Sequence, residues 1–129
     1  MSTLSVATVS SVATIKSSSA TVPDVQNSSG TEVGFFVRAW ACFNGSSFAL
    51  LKSGGVSSMT DEGEGTYEVN FTTAFVDTNY CMAAGASNGE SSNRIICQKN
   101  KQTGSYEFTT RGSSSTNDAQ FGNICFIDT

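Results

Sequence analysis

Four carboxylates that stand close together are the first residues whose types and spacing could do chemistry. They are Asp61, Glu62, Glu64 and Glu68, in and beside one glycine-rich stretch. A pair of carboxylates about 5–10 Å apart across a cleft hydrolyses glycosidic bonds, and hard oxygen ligands in a flexible loop bind calcium. These four lack the regular spacing of a dedicated calcium loop, and in one turn they are most simply solvated. The sequence therefore favours solvated acids, with calcium binding and catalysis as the alternatives.

Nucleophilic catalysis has no base here, because the chain contains no histidine. This excludes the ordinary Ser-His-Asp and Cys-His arrangements. The four cysteines are too widely spaced for the paired thiolates of a zinc site: Cys42, Cys81, Cys97 and Cys125. All fall in predicted strands, which favours small buried hydrophobic side chains, with a single disulfide as the alternative. There is no phosphate-binding loop followed by a helix, so the sequence predicts no catalytic residue, no metal and no cofactor.

The single tryptophan, Trp40, allows two interpretations. An exposed indole is a platform on which a sugar ring can stack, whereas a tryptophan in the middle of a strand beside Cys42 more simply packs in a core. We therefore expect Trp40 to pack in the core.

Composition indicates one folded, strand-rich domain. Of the 129 residues, 36 are Ser or Thr and 38% are hydrophobic. This hydrophobic content is below the usual apolar content of about 45–50%. A lean core in a chain rich in Val, Thr, Phe and Tyr favours strands and burial shared with neighbouring subunits. The net charge of −4 makes nucleic acid an unsuitable partner. No apolar run approaches the roughly 20 residues that span a bilayer, so we expect no membrane insertion.

The chain divides into two parts by pattern. In residues 1–34, small apolar and hydroxyl residues alternate weakly and are interrupted by Pro23 and Gly30. Such thin strands bury no core alone but can intertwine with copies of themselves or lie along the sheet edge of another protein. We interpret residues 1–34 as a stalk or anchor segment, with a disordered tail as the alternative.

Residues 35–129 have the two-residue period of β-strands. Alternation is cleanest around Tyr67, Val69 and Phe71, and Asn44-Gly45 is a typical hairpin turn. Further strands are predicted in the ranges 35–44, 48–52, 56–60, 79–86, 94–99, 105–111 and 120–127. About eight strands at this spacing predict an all-β fold, an antiparallel β-sandwich or small barrel.

Two blocks of sequence match a known family. The first has the form A-W-x-x-F-N-G and the second V-S-S-x-T-D-x-G-x-G-x-Y-x-V-N-F-T. The chain carries the first as Ala39, Trp40, Phe43, Asn44 and Gly45, and the second as Val56, Ser57, Ser58, Thr60, Asp61, Gly63, Gly65, Tyr67, Val69, Asn70, Phe71 and Thr72. In these blocks the chain resembles phage tail-fibre proteins, particularly those of marine phages and cyanophages. Cys42 departs from the pattern, which usually has asparagine there.

The resemblance implies a virion appendage made in the host cytoplasm. We expect a tail-fibre or receptor-binding module that adheres to the host surface by binding, without catalysis. The alternative is a structural virion decoration or tail-assembly protein that binds no receptor. Trimeric fibres are usual in the family, so the expected partners are two further copies of the chain, another tail or head protein held through residues 1–34, and a glycan or protein of the host surface.

If successive strands simply reverse, loops 44–47, 61–65, 87–93 and 112–118 lie at the end away from the stalk, and loops 53–55, 74–78 and 100–104 lie at the stalk end. Long polar loops on rigid strands are the usual place for recognition. Two of the far loops, 87–93 and 112–118, are the longest. We therefore predict that they contact the receptor, with two arginines for bidentate bonds, through Asn88, Glu90, Asn93, Arg94, Arg111, Asn117 and Asp118.

Overall fold

The computed structural model describes residues 25–89, 93–113 and 115–128. The chain divides into two units, residues 1–34 and residues 35–129. In the first unit, the described residues form a short antiparallel hairpin of β1 (Val25–Gln26) and β2 (Glu32–Gly34). Its turn is closed by Oδ1 of Asn27, which accepts hydrogen bonds from the backbone N–H groups of Ser29 and Thr31. The remainder of the predicted stalk, residues 1–24, lies outside the described residues.

The second unit is built of strands joined by turns and loops, as the two-residue period predicts. The described residues of this unit contain eight strands: β3 (Val37–Asn44), β4 (Ala49–Gly54), β5 (Val56–Gly63), β6 (Thr66–Phe71), β7 (Cys81–Ser87), β8 (Asn93–Lys101), β9 (Ser105–Arg111) and β10 (Phe121–Ile127). In the described part of the chain, no helix is long and apolar enough to cross a membrane.

The eight strands form one antiparallel sheet in the order β4-β3-β10-β7-β8-β9-β6-β5. The β7–β8 pairing is short, with Ala86 opposite Arg94 and Ser87 opposite Asn93. The two end strands of this order, β4 and β5, are consecutive in the chain and are separated by Gly55 alone. The sheet therefore folds over into two four-stranded halves that enclose a core, which confirms the predicted antiparallel β-sandwich or small barrel.

The core lies between the two halves and is mostly aromatic. Alternate residues of β3, β6, β9 and β10 point into it, because successive side chains of a strand face opposite ways. Phe71 is central, with ring centroids 4.7 Å from Phe75 and 4.8 Å from Phe126 in edge-to-face contacts. The buried set is Ala39, Ala41, Phe43, Tyr67, Val69, Phe71, Phe75, Tyr80, Tyr106, Phe108, Ala119, Ile124 and Phe126.

The strand register sorts the connections onto two ends of the unit, and it does so as simple reversal predicts. Asn44 pairs with Ala49, and Ser87 pairs with Asn93, at the end where β3 finishes. We call this the distal end; it also carries the β5–β6 turn and the β9–β10 loop. The opposite end, where β3 begins, is called the proximal end and carries the β4–β5, β6–β7 and β8–β9 connections.

Two expectations about the core are wrong. Trp40 is half-buried on the outer face of β3 and not in the core, because it alternates with the buried Ala39 and Ala41. Its cross-strand partner is Gly54, and a Cβ on that glycine would lie 2.5 Å from the indole Nε1, so the ring lies over bare backbone.

The four cysteines were expected to be buried, and none is. Cys81 is exposed, and Cys42, Cys97 and Cys125 are half-buried, all as free thiols. The reason is the same as for Trp40: each occupies an outward position of its strand, between neighbours that face the core.

Candidate functional site

The distal end is held together by the segment that leads from β9 into β10. The backbone N–H of Gly112 donates to the carbonyl of Ser115 at 3.0 Å, and Thr116 forms an isolated bridge with Arg111. The N–H of Asn117 then donates to the carbonyl of Thr110 at 3.0 Å. The loop thus folds back on the end of its own strand and does not extend freely into solvent.

Thr110 is the buried polar residue beneath this loop. Its side chain is fully buried, and its Oγ1 donates to the carbonyl of Asn117 at 2.5 Å. Its backbone N–H donates to the carbonyl of Gly65 at 2.7 Å. Gly65 has φ +65°, and a Cβ there would lie 2.6 Å from the backbone nitrogen of Asn117. Only glycine fits the turn under the loop, because both its φ and its surroundings exclude a side chain.

Asp118 and Ala119 fasten the loop to two other connections. One oxygen of the Asp118 carboxylate accepts from the N–H of Gly65 at 2.8 Å and from the hydroxyl of Tyr67 at 2.6 Å. The carbonyl of Ala119 accepts from the N–H of Gly45 at 2.8 Å. The β3–β4 turn, the β5–β6 turn and the β9–β10 loop are therefore joined in one hydrogen-bonded surface, and the end of the sandwich is closed by backbone.

The surroundings of Tyr67, which include its hydrogen bond to Asp118, change the pKa of its hydroxyl. Burial, with the Asp118 hydrogen bond next in importance, raises the pKa of the Tyr67 hydroxyl far above its ordinary value. Both causes act in the same direction, since a phenolate would be desolvated and would lie beside a carboxylate. Tyr67 is therefore a permanent hydrogen-bond donor at physiological pH.

The seven residues predicted to contact a receptor fall into three groups. Asn88, Asn93 and Arg111 are exposed at the distal end and are available to a ligand. Asn117 and Asp118 are half-buried and take part in the loop's own hydrogen bonds. Arg94 is half-buried on the core-facing side of β8. Glu90 lies outside the described residues, so its part of the prediction is not addressed by the structure.

The four clustered acids lie at the end of β5 (Asp61 and Glu62), in the β5–β6 turn (Glu64) and in β6 (Glu68). Asp61 closes its own turn by accepting from the N–H of Gly63 at 3.0 Å. Glu64 accepts from the side-chain amide of Asn117 at 3.3 Å. Glu68 lies opposite Glu107 on the outer side of β6. Among the described residues, no group of three or more His, Cys, Asp or Glu side chains could hold a metal ion.

A second surface feature, which the sequence analysis missed, is a shallow groove of about 400 Å³ on the outer face of β3, β10 and β7. We call it the outer groove. Small side chains on β7 form one wall and the Trp40 ring the other. It is lined by Trp40, Ala41, Cys42, Ala83, Ala84, Gly85, Asn123, Ile124 and Cys125. The signal in the sequence was the run of small residues at 83–86, which leaves no side chain to fill this face.

Comparison with known proteins adds no assignment. No family model matches the chain, and neither the curated proteins nor the solved structures contain a significant match to it.

Proposed function

We propose that the chain is a phage virion appendage protein, a tail-fibre or receptor-binding module that attaches to the host surface. The observation that carries the proposal is the distal end: four connections gathered on one end of a rigid sandwich, three of them fastened together through residues 117–119. Loops fixed on strands present a constant surface, which lowers the entropic cost of binding. The sequence blocks shared with tail-fibre proteins supply the biological setting.

The proposed activity is binding without catalysis. The chain has no histidine. The acids of the β5–β6 region are engaged in turn and loop contacts or lie on an outer face, as Asp61, Glu64 and Glu68 show. A surface of amides, hydroxyls and arginines fits a glycan or a protein of the host envelope, recognised through hydrogen bonds.

We further propose that the protein acts in the virion as a homotrimer, docked on another tail or head protein through residues 1–34. The end strands of the sheet, β4 and β5, leave edges that another chain can pair with. On β4 this edge is apolar: Leu51 is 61% exposed and Leu50 is 38% exposed. Closed symmetry with further copies would cover these side chains.

A structural role in the virion, without receptor binding, is the second candidate function. The outer groove favours it, because an apolar sheet face of this kind is typical of packing against another protein. In that case the chain is a decoration or tail-assembly protein, and the distal loops have no ligand.

Adhesion of the purified protein to cells separates the two functions. Fluorescently labelled protein is added to a panel of marine bacteria that includes cyanobacteria, and bound fluorescence is measured by flow cytometry. The test variant replaces three exposed distal residues with alanine: Asn88→Ala, Asn93→Ala and Arg111→Ala. The control replaces three exposed proximal residues: Thr73→Ala, Thr78→Ala and Gln102→Ala.

We expect binding to a subset of strains, lost in the distal variant and retained in the proximal one. Both variants should keep their melting temperature, since exposed substitutions usually change the free energy of unfolding by less than about 0.5 kcal/mol. Absence of binding to every strain would favour the structural function, and equal binding by both variants would contradict the distal end as the binding surface.

A further inference from the structure

Arg94, at the distal end, has a buried side-chain nitrogen without a hydrogen-bond partner among the described residues. Its Nε is buried and has no hydrogen-bond partner; among the buried side-chain nitrogens and oxygens of the described residues, no other lacks one. The ion pairs of the described residues are Arg38–Asp128 and Lys99–Glu107, so Arg94 belongs to neither. A guanidinium that is partly withdrawn from water and unpaired attracts an anion more strongly than a fully solvated one.

The register explains why this arginine is held in place. Arg94 pairs with Ala86, which in turn pairs with the buried Gly122, so all three face the core side of the sheet. The stem of Arg94 therefore lies on the core-facing side of β8 at the distal end. The residue as a whole is half-buried, and its Nε is buried.

The surroundings of the guanidinium are small and polar. A Cβ on Gly112 would lie 3.2 Å from Nη1 of Arg94 and 3.0 Å from Oδ1 of Asn117. Glycine at this position thus lets the loop backbone approach both groups, where a side chain would crowd them. The same Oδ1 accepts a hydrogen bond from the exposed hydroxyl of Ser115 at 3.2 Å. The side-chain amide of Asn117 donates instead to the carboxylate of Glu64 at 3.3 Å.

We propose that Arg94 is the anchor of a binding site for an acidic glycan, whose sugar carboxylate pairs with Nη1 and Nη2. The planar fork of a guanidinium matches a carboxylate in two parallel hydrogen bonds. Oδ1 of Asn117 lies beside Gly112, and this oxygen and Oγ of Ser115, which donates to it, can each accept a hydrogen bond from a neighbouring sugar hydroxyl. This match favours a glycan over an acidic peptide, which presents carboxylates without a ring of hydroxyls. The inference rests on the proposed host-adhesion function and names its ligand class.

The buried Nε of Arg94 gives a direct readout, because its N–H is shielded from exchange and should be visible by NMR. The ¹⁵N-labelled full chain is titrated with a disaccharide of galacturonic acid, with the corresponding neutral disaccharide of galactose, and with an oligoglutamate peptide. We expect a saturable shift of the Arg94 Nε–Hε signal with the acidic sugar alone. No shift with the acidic sugar, or an equal shift with the neutral sugar or the peptide, would overturn the proposal.

Variants of Arg94 and of one control cation complete the test. Arg94→Gln should lower the affinity for the acidic disaccharide by roughly tenfold or more, as expected for loss of a charge-assisted pair. Arg94→Lys should keep only part of the affinity, since it retains charge but loses the fork. Lys52→Gln is the matched control: Lys52 is an exposed cation on β4, away from the distal loops, so its loss should change affinity little.

Failure of this proposal is distinguishable from failure of the adhesion function. If Arg94→Gln binds the acidic sugar as the parent does, the assignment of Arg94 is overturned even where cell adhesion persists. If the glutamine variant does not fold, Arg94→Lys is the deciding variant. An affinity equal to that of the parent would contradict the two parallel hydrogen bonds from the guanidinium, and a reduced affinity with an unchanged fold would support them.

Discussion

At the residue scale, Asp118 shows how a predicted binding residue can have a structural task. Sequence reasoning places it in a polar loop with its carboxylate offered to a ligand. In the structure, one of its oxygens accepts two hydrogen bonds, from the N–H of Gly65 and from the hydroxyl of Tyr67. Its first contribution is therefore to hold the distal loops together, and any contact with a receptor is made by a carboxylate that is already fixed.

Replacing Asp118 with alanine should destabilise the protein. The change leaves the buried Tyr67 hydroxyl and the Gly65 N–H without an acceptor, which should cost about 2–3 kcal/mol and lower the melting temperature by about 10 °C or more. Calorimetry measures the effect. Asn88→Ala, in an exposed loop at the same end, is the control and should be neutral. A neutral Asp118→Ala would mean that the loop is not fastened as described.

Tyrosine burial predicts a loss of stability at alkaline pH. Burial, followed by the nearby Tyr106, raises the pKa of Tyr80 to about 12, and the pKa of Tyr67 is raised as well. The unfolded chain ionises near pH 10, whereas the folded state keeps its protons. The stabilising contribution is therefore complete below pH 10 and declines from there up to the folded-state pKa.

Urea unfolding at several pH values between 8 and 11 should show this decline. Each such tyrosine adds up to about 1.4 kcal/mol per pH unit to the slope, so Tyr67→Phe should have a shallower decline than the parent. Lysine ionisation affects parent and variant equally and cancels in the comparison. Identical slopes would show that Tyr67 ionises normally in the folded protein.

At the element scale, two glycines in neighbouring strands have opposite expectations. A Cβ on Gly122 of β10 would lie 2.1 Å from the ring of Phe43, whereas a Cβ on Gly85 of β7 would meet nothing within 4 Å. Gly122→Ala should destabilise by roughly 1–3 kcal/mol, since it overpacks a filled core. Gly85→Ala should be neutral or slightly stabilising, because it lowers the entropy of the unfolded chain. Denaturant unfolding of the two variants and of the parent measures both changes in the free energy of unfolding.

The elements were largely predictable, because strand periodicity is a local property. The alternation at Tyr67, Val69 and Phe71 predicted β6, which the structure places at Thr66–Phe71. The Asn44-Gly45 turn predicted the hairpin that links β3 to β4. All eight strands of the second unit were expected, with shifts of a few residues at their ends.

Which face of a strand is buried was less predictable. Along β3 one set of positions holds Ala39 and Ala41 and the other holds Trp40 and Cys42, so hydrophobicity alone points the tryptophan inward. In the structure the tryptophan faces outward. Phe43 lies on the same face of β3 as the two alanines, and its ring fills the core on that side. The site depends on contacts between residues distant in sequence, such as Asp118 with Tyr67 or Gly112 with Arg94, and no local pattern reports them.

At the scale of the whole molecule, the proposed assembly predicts a particle of three 13.5-kDa chains. Light scattering coupled to gel filtration measures this mass directly. Leu51→Asp, on the apolar β4 edge, should shift the particle toward the monomer, because a carboxylate would be buried without a partner. Val76→Asp is the control, since Val76 is 78% exposed and lies on the β6–β7 connection. A stable monomer at micromolar concentration would contradict the assembly.

The position of β10 has a consequence for how the protein is made. This strand lies between β3 and β7, so neither of those strands has its inner partner until residues 121–127 have left the ribosome. Pairings such as Ala39 with Phe126 close very long loops, a topology that folds slowly. For most of its synthesis the chain must remain soluble with Phe43 uncovered and two strand edges open. The 36 serines and threonines make the unfinished chain more hydrophilic, which opposes aggregation until β10 has paired with β3 and β7.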